Sequence, residues 1–377
     1  MTRGRHPSDI YHDREKAVME LGIGAFGDAN WDPETGKRIS EAQAIRNVVE
    51  SGVLAEQVGL DWFGVGEHHT PEFPGSAAAP ILGAIAAQTN RIKLSTAVTV
   101  LSTEDPVRVY EQYSTVDAIA NGRVELIPGR GSSIESFPLF GYDLRDYDEL
   151  FAEKLELLLE INQHERVYWR GKTRPDLNGE YIPPRAERGP IPIWLGVGGN
   201  PASVIRAARL GLPMATGVLG GNAIRNAGIS ELYRRAAQQF GNTPQQTMLM
   251  LGSPGFLNKD GKKARETFWP HWHQFMKVVG EQRGFLPPTR DRFDQDSGPQ
   301  GGLLVGSPEE IIERILLMHE HWGQVRSYIH IDTGAVPQRE VLRTIELYGT
   351  VVRPAVQAEL GTATIDELTG RATAATV

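Results

Sequence analysis

Three adjacent titratable side chains, Glu67, His68 and His69, follow directly after the apolar run WFGVG at residues 62–66. Successive side chains alternate on an extended chain, so at most one of the two histidines can point straight into a site at the end of that run. Histidine titrates near neutral pH and can donate or accept a proton there. A solvated loop or a core histidine is the alternative, but a position at the end of a strand favours a reaction centre.

Two glycine-rich loops have the composition of an anion site. The loop PGRGSSIES at 128–136 sets Arg130 between glycines, and the guanidinium fork suits phosphate while the glycines let backbone amides approach. An ordinary turn with a surface arginine explains this loop equally well. The loop GVGGNPAS at 196–203 favours the anion site over an ordinary turn, because a helix begins in this loop and its amides and dipole favour an anion. Asn200 is the expected cap and Ser203 a further donor.

The elements that must position these residues alternate between strand and helix. Apolar runs predict eight strands, at residues 19–26, 61–66, 91–101, 123–129, 191–196, 212–217, 247–256 and 327–332. Helical patterns fill the intervals, and an unbroken βα rhythm of this kind predicts an α/β fold, a TIM (β/α)8 barrel with insertions. The active site of such a barrel lies at the carboxyl ends of the strands, which is where the three polar loops fall.

Start signals mark several of the helices. Ser40 is followed three residues later by Gln43, a spacing that predicts a capping box. Asp105 precedes a proline at the first helical position, and Ser307 is followed by a proline and then by Glu310. Helices are therefore expected to begin at about residues 41, 106 and 308.

The same pattern divides the chain into segments. Residues 1–18 are expected to form an N-terminal extension, 19–353 the barrel domain, and 354–377 an alanine- and threonine-rich tail that is loosely held. Two proline- and glycine-rich insertions, 163–190 and 284–306, interrupt the rhythm and are placed to form hairpins or lids over the barrel mouth.

Composition excludes several classes of function. Lysine and arginine total 39 against 47 aspartates and glutamates, and the net charge of −8 argues against a nucleic-acid partner. The absence of cysteine rules out disulfides, a thiolate nucleophile and a sulfur-based zinc site. No run of about 18 apolar residues and no secretory signal pattern is present, so a cytoplasmic protein without a membrane partner is expected.

A glycine motif gives a false lead to a nicotinamide site. Gly22, Gly24 and Gly27 satisfy GxGxxG, but the dinucleotide fingerprint requires these glycines to open a helix. Here they lie in a predicted strand, and the loop DANWDPETGKR delays the helix to Ser40. We therefore reject a Rossmann site in favour of small residues that line a barrel.

Paired histidines raise the question of a metal. His271 with His273, and His319 with His321, form HxH pairs like those of barrel metallohydrolases, and Asp332 follows the eighth strand. Such pairs bind a metal on strands, where positions i and i+2 face the same way, whereas both pairs lie in helical pattern. Solvated helix histidines without a metal are the better interpretation.

Five motifs in this order and spacing resemble the bacterial luciferase-like flavin-dependent monooxygenase family over about residues 19–353. They are GVGEHHTPEF, AVTVLSTEDPVRVYEQ, NGRVELIPGRGS, FPLFGYDL and IPIWLGVGGNPASVIRAARLGLPM. The resemblance implies a TIM-barrel flavin-binding domain with FMN as cofactor. It implies that His68 faces the flavin, with Glu67 in a positioning role. It also implies contacts to the cofactor from Ala97 and Val98, joined by a cis peptide bond, from Gly129, and, at the phosphate, from Arg130, Gly199, Asn200 and Ser203.

The chain departs from that family's pattern in two of these motifs. Some relatives, including the luciferase catalytic subunit, have a cysteine where this chain has Gly129, and Glu-Ser where it has Gly199 and Asn200. Light emission is therefore not inferred. The lost carboxylate bears on phosphate affinity and on which flavin is preferred.

The resemblance implies a monooxygenase that takes reduced FMN from a separate flavin reductase and reacts it with O2, through a flavin C4a-peroxide, to oxidise a small organic substrate. A homodimer or homotetramer is implied as well. Two alternatives stay open: a deazaflavin-dependent oxidoreductase that transfers hydride, and a non-catalytic flavin-binding protein. The substrate is not inferred, although Phe26, Trp31, Trp269 and Phe275 are candidates for an apolar pocket.

Overall fold

The computed structural model describes residues 18–131 and 134–371, and eight parallel strands form its centre. They are β1 (Glu20–Ala25), β2 (Trp62–Val65), β3 (Lys93–Thr96), β4 (Val124–Glu125), β5 (Leu195–Val197), β6 (Met214–Gly217), β7 (Leu249–Leu257) and β8 (Arg326–His330). Their order in the sheet is β4-β3-β2-β1-β8-β7-β6-β5. A bridge between Leu126, just after β4, and Ile193, just before β5, joins the two ends. The predicted TIM barrel is confirmed.

Two strands continue past an irregularity at the end that carries the predicted site. The peptide bond between Ala97 and Val98 is cis, as the resemblance implied, and Thr99–Val100 resumes as a short strand. It pairs in parallel with Pro128–Gly129, which continues β4 in the same way. These extensions bring Ala97, Val98 and Gly129 together at one side of the barrel mouth.

Helices surround the barrel and follow the predicted rhythm. They are α1 (Glu41–Gln57), α2 (Ala78–Ala86), α3 (Pro106–Ile119), α4 (Tyr147–Gln163), α5 (Pro201–Arg209), α6 (Gly228–Gln239), α7 (Gly261–Arg283), α8 (Pro308–Trp322), α9 (Gln338–Leu347), α10 (Arg353–Leu360) and α11 (Ile365–Thr369). Within the described ranges, no helix combines the length and the apolar character that crossing a bilayer requires.

The helix start signals are confirmed with one difference. Asp105 accepts from the amides of the first turn of α3, and Ser307 and Glu310 form a complete capping box at α8. Ser40 accepts from the Gln43 amide at 3.1 Å, but the Gln43 side chain bonds instead within α1. The cap at α1 is therefore present without its reciprocal arm.

The two insertions have different structures. Within 163–190, the strands Arg166–Trp169 and Leu177–Tyr181 form the expected hairpin. The second insertion is not a hairpin, because it holds a helix at Arg290–Asp296 and a short strand, Leu304–Gly306, parallel to β7. Among the described residues, those that line the cavity at the barrel mouth come from neither insertion, so the lid interpretation is not supported.

The C-terminal segment corrects an expectation. Residues 354–371 are not a loose tail, since α10 and α11 pack against the barrel base. Ile365 is buried, its amide donates to Glu20 Oε1 at 2.9 Å, and Asp366 lies 3.2 Å from Lys93 Nζ. Composition alone missed these long-range contacts. Residues 1–17 of the predicted extension, and 372–377, lie outside the described part of the chain.

A charged network fills the base of the barrel, at the end opposite the cavity. Arg326 is fully buried and bonds to both Glu20 and Glu125, with Nη1 at 2.5 Å from Glu125 Oε2 and Nε at 2.9 Å from Glu20 Oε2. Lys93 Nζ adds a contact to Glu20 at 2.8 Å. These charges neutralise one another, as buried charges must.

Candidate active site

A cavity of about 380 Å³ opens at the carboxyl ends of the strands, within the ~300–1,000 Å³ range of small-molecule sites. Seven of the nine residues predicted for the site line it: Glu67, His68, Ala97, Val98, Gly129, Arg130 and Ser203. Gly199 and Asn200 are not in its wall. The structure therefore assembles, from the ends of four strands, most of the residues that the sequence singled out.

His68 lies at one end of this cavity and is held by a carboxylate. Its Nδ1 is 3.1 Å from Glu135 Oε1, and its ring packs edge-on against Phe26 at 5.1 Å between centroids. Burial alone would raise the pKa of Glu135, but the hydrogen bond and charge of His68 hold that pKa below its usual value. An ionised Glu135 accepts a hydrogen bond from Nδ1–H of His68. Nε2 is then the ring nitrogen that can exchange a proton.

Glu67 has a different set of partners. Its Oε1 is 2.9 Å from His69 Nε2, while its Oε2 accepts from the Thr99 hydroxyl at 3.1 Å and the Val100 amide at 2.9 Å. Glu67 thus fixes the chain just after the cis peptide bond. His69 points away from the cavity, as strand alternation predicts. Glu67 therefore binds His69, and the carboxylate that contacts His68 is Glu135.

Arg130 and Ser203 meet at another part of the cavity wall. Arg130 Nη2 donates to Ser203 Oγ at 2.9 Å, and Arg130 Nη1 lies 2.6 Å from Asp148 Oδ1. The guanidinium also packs over the Tyr147 ring at 5.0 Å. Loops after β4 and β5 therefore place a cation and a hydroxyl side by side, as expected of an anion site.

The start of α5 differs from the prediction of free amides. Asn200 is the cap, because its Oδ1 accepts from the Ala202 amide at 2.9 Å, and its carbonyl accepts from the Ser203 amide at 3.0 Å. Proline at 201 has no amide hydrogen to offer. The first turn of α5 therefore contributes the Ser203 hydroxyl and the helix dipole rather than free N–H groups. Gly199, at φ +89°, adopts the left-handed conformation that favours glycine.

Three glycines leave part of the cavity wall without side chains. A Cβ at Gly129 would lie 2.7 Å from Val98 Cγ2, and one at Gly196 would lie 3.0 Å from Val98 Cγ1. A Cβ at Gly198 would meet nothing within 4 Å. Val98 therefore packs directly on backbone, and the adjoining surface stays open to a flat ligand.

Sequence reasoning missed three residues of this region: Glu135, Tyr147 and Arg206. Glu135 lies far along the chain from His68, and no spacing rule links the two. Arg206 was within reach of such a rule, because it follows Ser203 by three positions and so shares a face of α5.

The helix histidines require a correction. His271 and His319 are not solvated, being 2% and 7% exposed. Their Nδ1 atoms lie 2.8 Å from the Gly334 carbonyl and 2.9 Å from the Gln324 carbonyl. Over the described ranges, no group of three histidine, cysteine, aspartate or glutamate side chains is arranged to hold a metal.

Asp332, at the end of β8, supports the cavity wall through the backbone. Its carboxylate accepts from the amides of Phe26 at 3.0 Å, Gly27 at 2.6 Å and Asp28 at 3.3 Å. Phe26 lines the cavity, whereas the other aromatic candidates are not among its lining residues. Trp31 is exposed, Trp269 packs among helix side chains, and Phe275 packs against Trp272 of α7 and Phe73 of the loop after β2.

Two curated proteins show what the chain is similar to in sequence. The F420-dependent glucose-6-phosphate dehydrogenase of Beutenbergia cavernae is 33% identical over 338 residues, 85% of this chain and 96% of that protein. The alkanal monooxygenase alpha chain of Photorhabdus laumondii is 27% identical over 252 residues; the match spans 63% of this chain and 66% of the relative.

A solved structure shares the fold. The oxygenating constituent of 3,6-diketocamphane monooxygenase from Pseudomonas putida, a type II Baeyer-Villiger monooxygenase in complex with FMN, superposes with a TM-score of 0.71. It is 19% identical, with 89% of this chain and 98% of that chain covered. The model of the luciferase-like monooxygenases matches residues 19–324, and the chain therefore belongs to this family of enzymes.

Proposed function

We propose that the protein is a flavin-dependent monooxygenase that uses reduced FMN and O2 to oxygenate a small organic substrate. The observation that carries the proposal is the distribution of groups around one cavity. Arg130 and Ser203 form an anion-binding pair in one part of its wall, and His68 with Glu135 forms a proton-exchanging pair in another. An aliphatic and glycine surface, with Val98 at its centre, is part of the same wall.

These residues fit FMN in kind and number. The Arg130 guanidinium and the Ser203 hydroxyl would hold its phosphate, and the surface at Ala97, Val98 and Gly129 would support its ring. Bound reduced FMN supplies the electrons that activate oxygen.

The protein's own part is binding, orientation and proton management. Glu135 fixes the ring of His68 through Nδ1, so that Nε2 can give a proton to, or take one from, the reacting groups. Phe26 packs against His68 and, with Val98, gives the cavity an apolar lining that displaces water when a substrate binds. Glu67 and Asp332 hold the loops that carry these side chains.

Anaerobic titration with reduced FMN, followed by rapid mixing with oxygenated buffer, tests the proposal. We expect the bound flavin to reoxidise through a spectrum that differs from those of oxidised and reduced FMN. His68→Ala should keep FMN binding and alter that time course, whereas the exposed His164→Ala should change neither. A reoxidation trace identical to that of free FMN, in protein shown to hold the flavin, would refute the monooxygenase assignment.

Binding itself is tested separately. Arg130→Ala removes a charge-assisted hydrogen bond, and we expect FMN affinity to fall about 10- to 100-fold. An unchanged dissociation constant would show that the phosphate lies elsewhere.

A second candidate is hydride transfer with the deazaflavin F420, favoured by the 33% identical F420-dependent relative. Binding of F420 in preference to FMN, with no reaction of the bound cofactor with O2, would support it. A purely flavin-storing protein is the less favoured alternative, because the His68–Glu135 pair would have no role in it.

The proposal extends to partners. We propose a separate reductase as the source of reduced FMN, a cytoplasmic location that gives access to that reductase, and a homodimer or homotetramer. Family membership supports these points. Light scattering of the purified protein measures the assembly, and a monomer at micromolar concentration would exclude it.

A further inference from the structure

Arg206 is a second cation on α5, the helix that carries Ser203. It lies on α5 three positions after Ser203 and therefore on the same helix face. Its guanidinium packs over the Phe151 ring at 5.4 Å, and its Nη1 is buried without a hydrogen-bond acceptor among the described residues. A buried, unsatisfied donor on a charged group is costly unless a ligand completes it.

Charge in this region is unbalanced towards the positive. Burial lowers the pKa of Arg206, and the charge of Arg130 lowers it further. Asp148 is the nearby anion. It lies 2.6 Å from Arg130, but its side chain is 74% exposed, so its interaction is weakened by solvent.

We propose that Arg206 acts with Arg130 as a dianion site, selective for the phosphate monoester of FMN over flavin cofactors whose phosphate is a diester. This inference rests on the proposed function. A phosphate monoester carries about −1.5 to −2 charges at pH 7, whereas each phosphate of a diester carries a single charge. Two arginines therefore match the first class, and one arginine would serve the second. F420 belongs to the diester class, and riboflavin has no phosphate.

Asp148 has a defined part in this arrangement. Its carboxylate occupies Arg130 Nη1 and competes with an incoming phosphate for that donor. Removing its charge should strengthen FMN binding, although the substitution deletes an ion pair of the protein. A residue with a purely structural role would show the opposite effect.

Fluorescence titration of the full-length protein with oxidised FMN, riboflavin and F420 tests the inference. The wild type should bind FMN at least about 100-fold more tightly than riboflavin, since charge-assisted hydrogen bonds are the strong ones. Arg206→Gln should weaken FMN binding about 10-fold or more and leave riboflavin binding unchanged. Arg206→Lys should recover part of the loss. Asp148→Asn should tighten FMN binding several-fold.

Arg209→Gln is the matched control, because Arg209 lies on the same helix and is exposed. It should change both constants by less than about twofold, as expected for a screened surface charge. The salt dependence of FMN binding gives an independent readout, and its slope should fall in Arg206→Gln but not in Arg209→Gln.

The outcomes separate the inference from the function beneath it. A wild type that binds FMN, with FMN-to-riboflavin and FMN-to-F420 affinity ratios unaffected by Arg206→Gln, overturns the role of Arg206 alone. Equal losses of FMN and riboflavin binding in Arg206→Gln also overturn it, since they indicate a structural effect. A wild type that does not bind FMN at all overturns the proposed function.

Discussion

Replacing Arg326 with methionine should destabilise the barrel strongly at neutral pH. The side chain is completely buried and donates to both Glu20 and Glu125, so its loss leaves two carboxylates in a dry interior with only Lys93 beside them. Burial alone would raise the pKa of Glu20, yet the charges of Lys93 and Arg326 lower it from 4.5 to about 2.

The expected magnitude follows from that shift. A depression of two to three pKa units corresponds to about 3 kcal/mol of stability, at about 1.4 kcal/mol per unit. Removing one partner of a buried pair costs about 3–5 kcal/mol in general. Lys93 accounts for part of the Glu20 shift and remains in the variant, so the expectation rests on the second figure: Arg326→Met should lower the free energy of unfolding by about 3–5 kcal/mol at pH 7.

The pH dependence gives the sign of the effect. Because the folded pKa of Glu20 is depressed, its contribution is present above the unfolded pKa of about 4.5 and is lost as the pH falls towards 2. In the variant, the unpaired carboxylates protonate more readily than in the unfolded chain. The difference in the free energy of unfolding between wild type and variant should therefore be smaller at pH 4 than at pH 7.

Urea denaturation followed by far-ultraviolet circular dichroism at both pH values measures this gap. Arg343→Met is the control, since Arg343 is 65% exposed and its ion pair with Glu340 should contribute about 1 kcal/mol or less. A loss in Arg326→Met no larger than in this control, or a gap that widens towards pH 4, would refute the reasoning.

Three further substitutions test local features. Burial and the charge of Asp28 raise the pKa of Asp332 to about 7. The Asp332 carboxyl therefore favours folding at low pH, and this contribution to stability is lost as the pH rises from about 4 to 7. Asp332→Asn should flatten the pH dependence of Tm between these pH values, and an unaltered slope would contradict the assignment. Gly252→Ala would push a methyl group into the Tyr328 ring inside the barrel and should cost about 1–3 kcal/mol in urea denaturation, whereas a wild-type midpoint would show that the ring moves freely. Ser307→Ala removes the cap of α8 and should cost about 1 kcal/mol, with Ser307→Thr as the variant that ought to retain most of it.

The barrel could be predicted from the sequence because each strand is a short apolar run and each helix has its own start signal. Those signals are local, and Asp105 and Ser307 act as the sequence indicates. The packed C-terminal helices could not be predicted in this way. They depend on contacts to Glu20 and Lys93, hundreds of residues earlier in the chain.

The candidate site was predictable to a similar extent. Arg130 and Ser203 were recognisable from residue type and loop composition, and the barrel brings them together. Glu135 was not, because its meeting with His68 depends on how the loop after β4 folds back. The HxH spacing in helices predicts solvated histidines. His271 instead faces the interior, and its Nδ1 forms a hydrogen bond with a backbone carbonyl.

The closure of the barrel has a consequence for how the site moves. β1 and β8 pair continuously from Glu20 to Gly24, whereas the seam between β4 and β5 is joined through the bridge from Leu126 to Ile193. Hydrogen exchange should therefore begin early along this seam, where few backbone bonds must open. Arg130 and Ser203 lie on the two sides of this seam. A phosphate bound by both residues would link the two sides and slow that exchange.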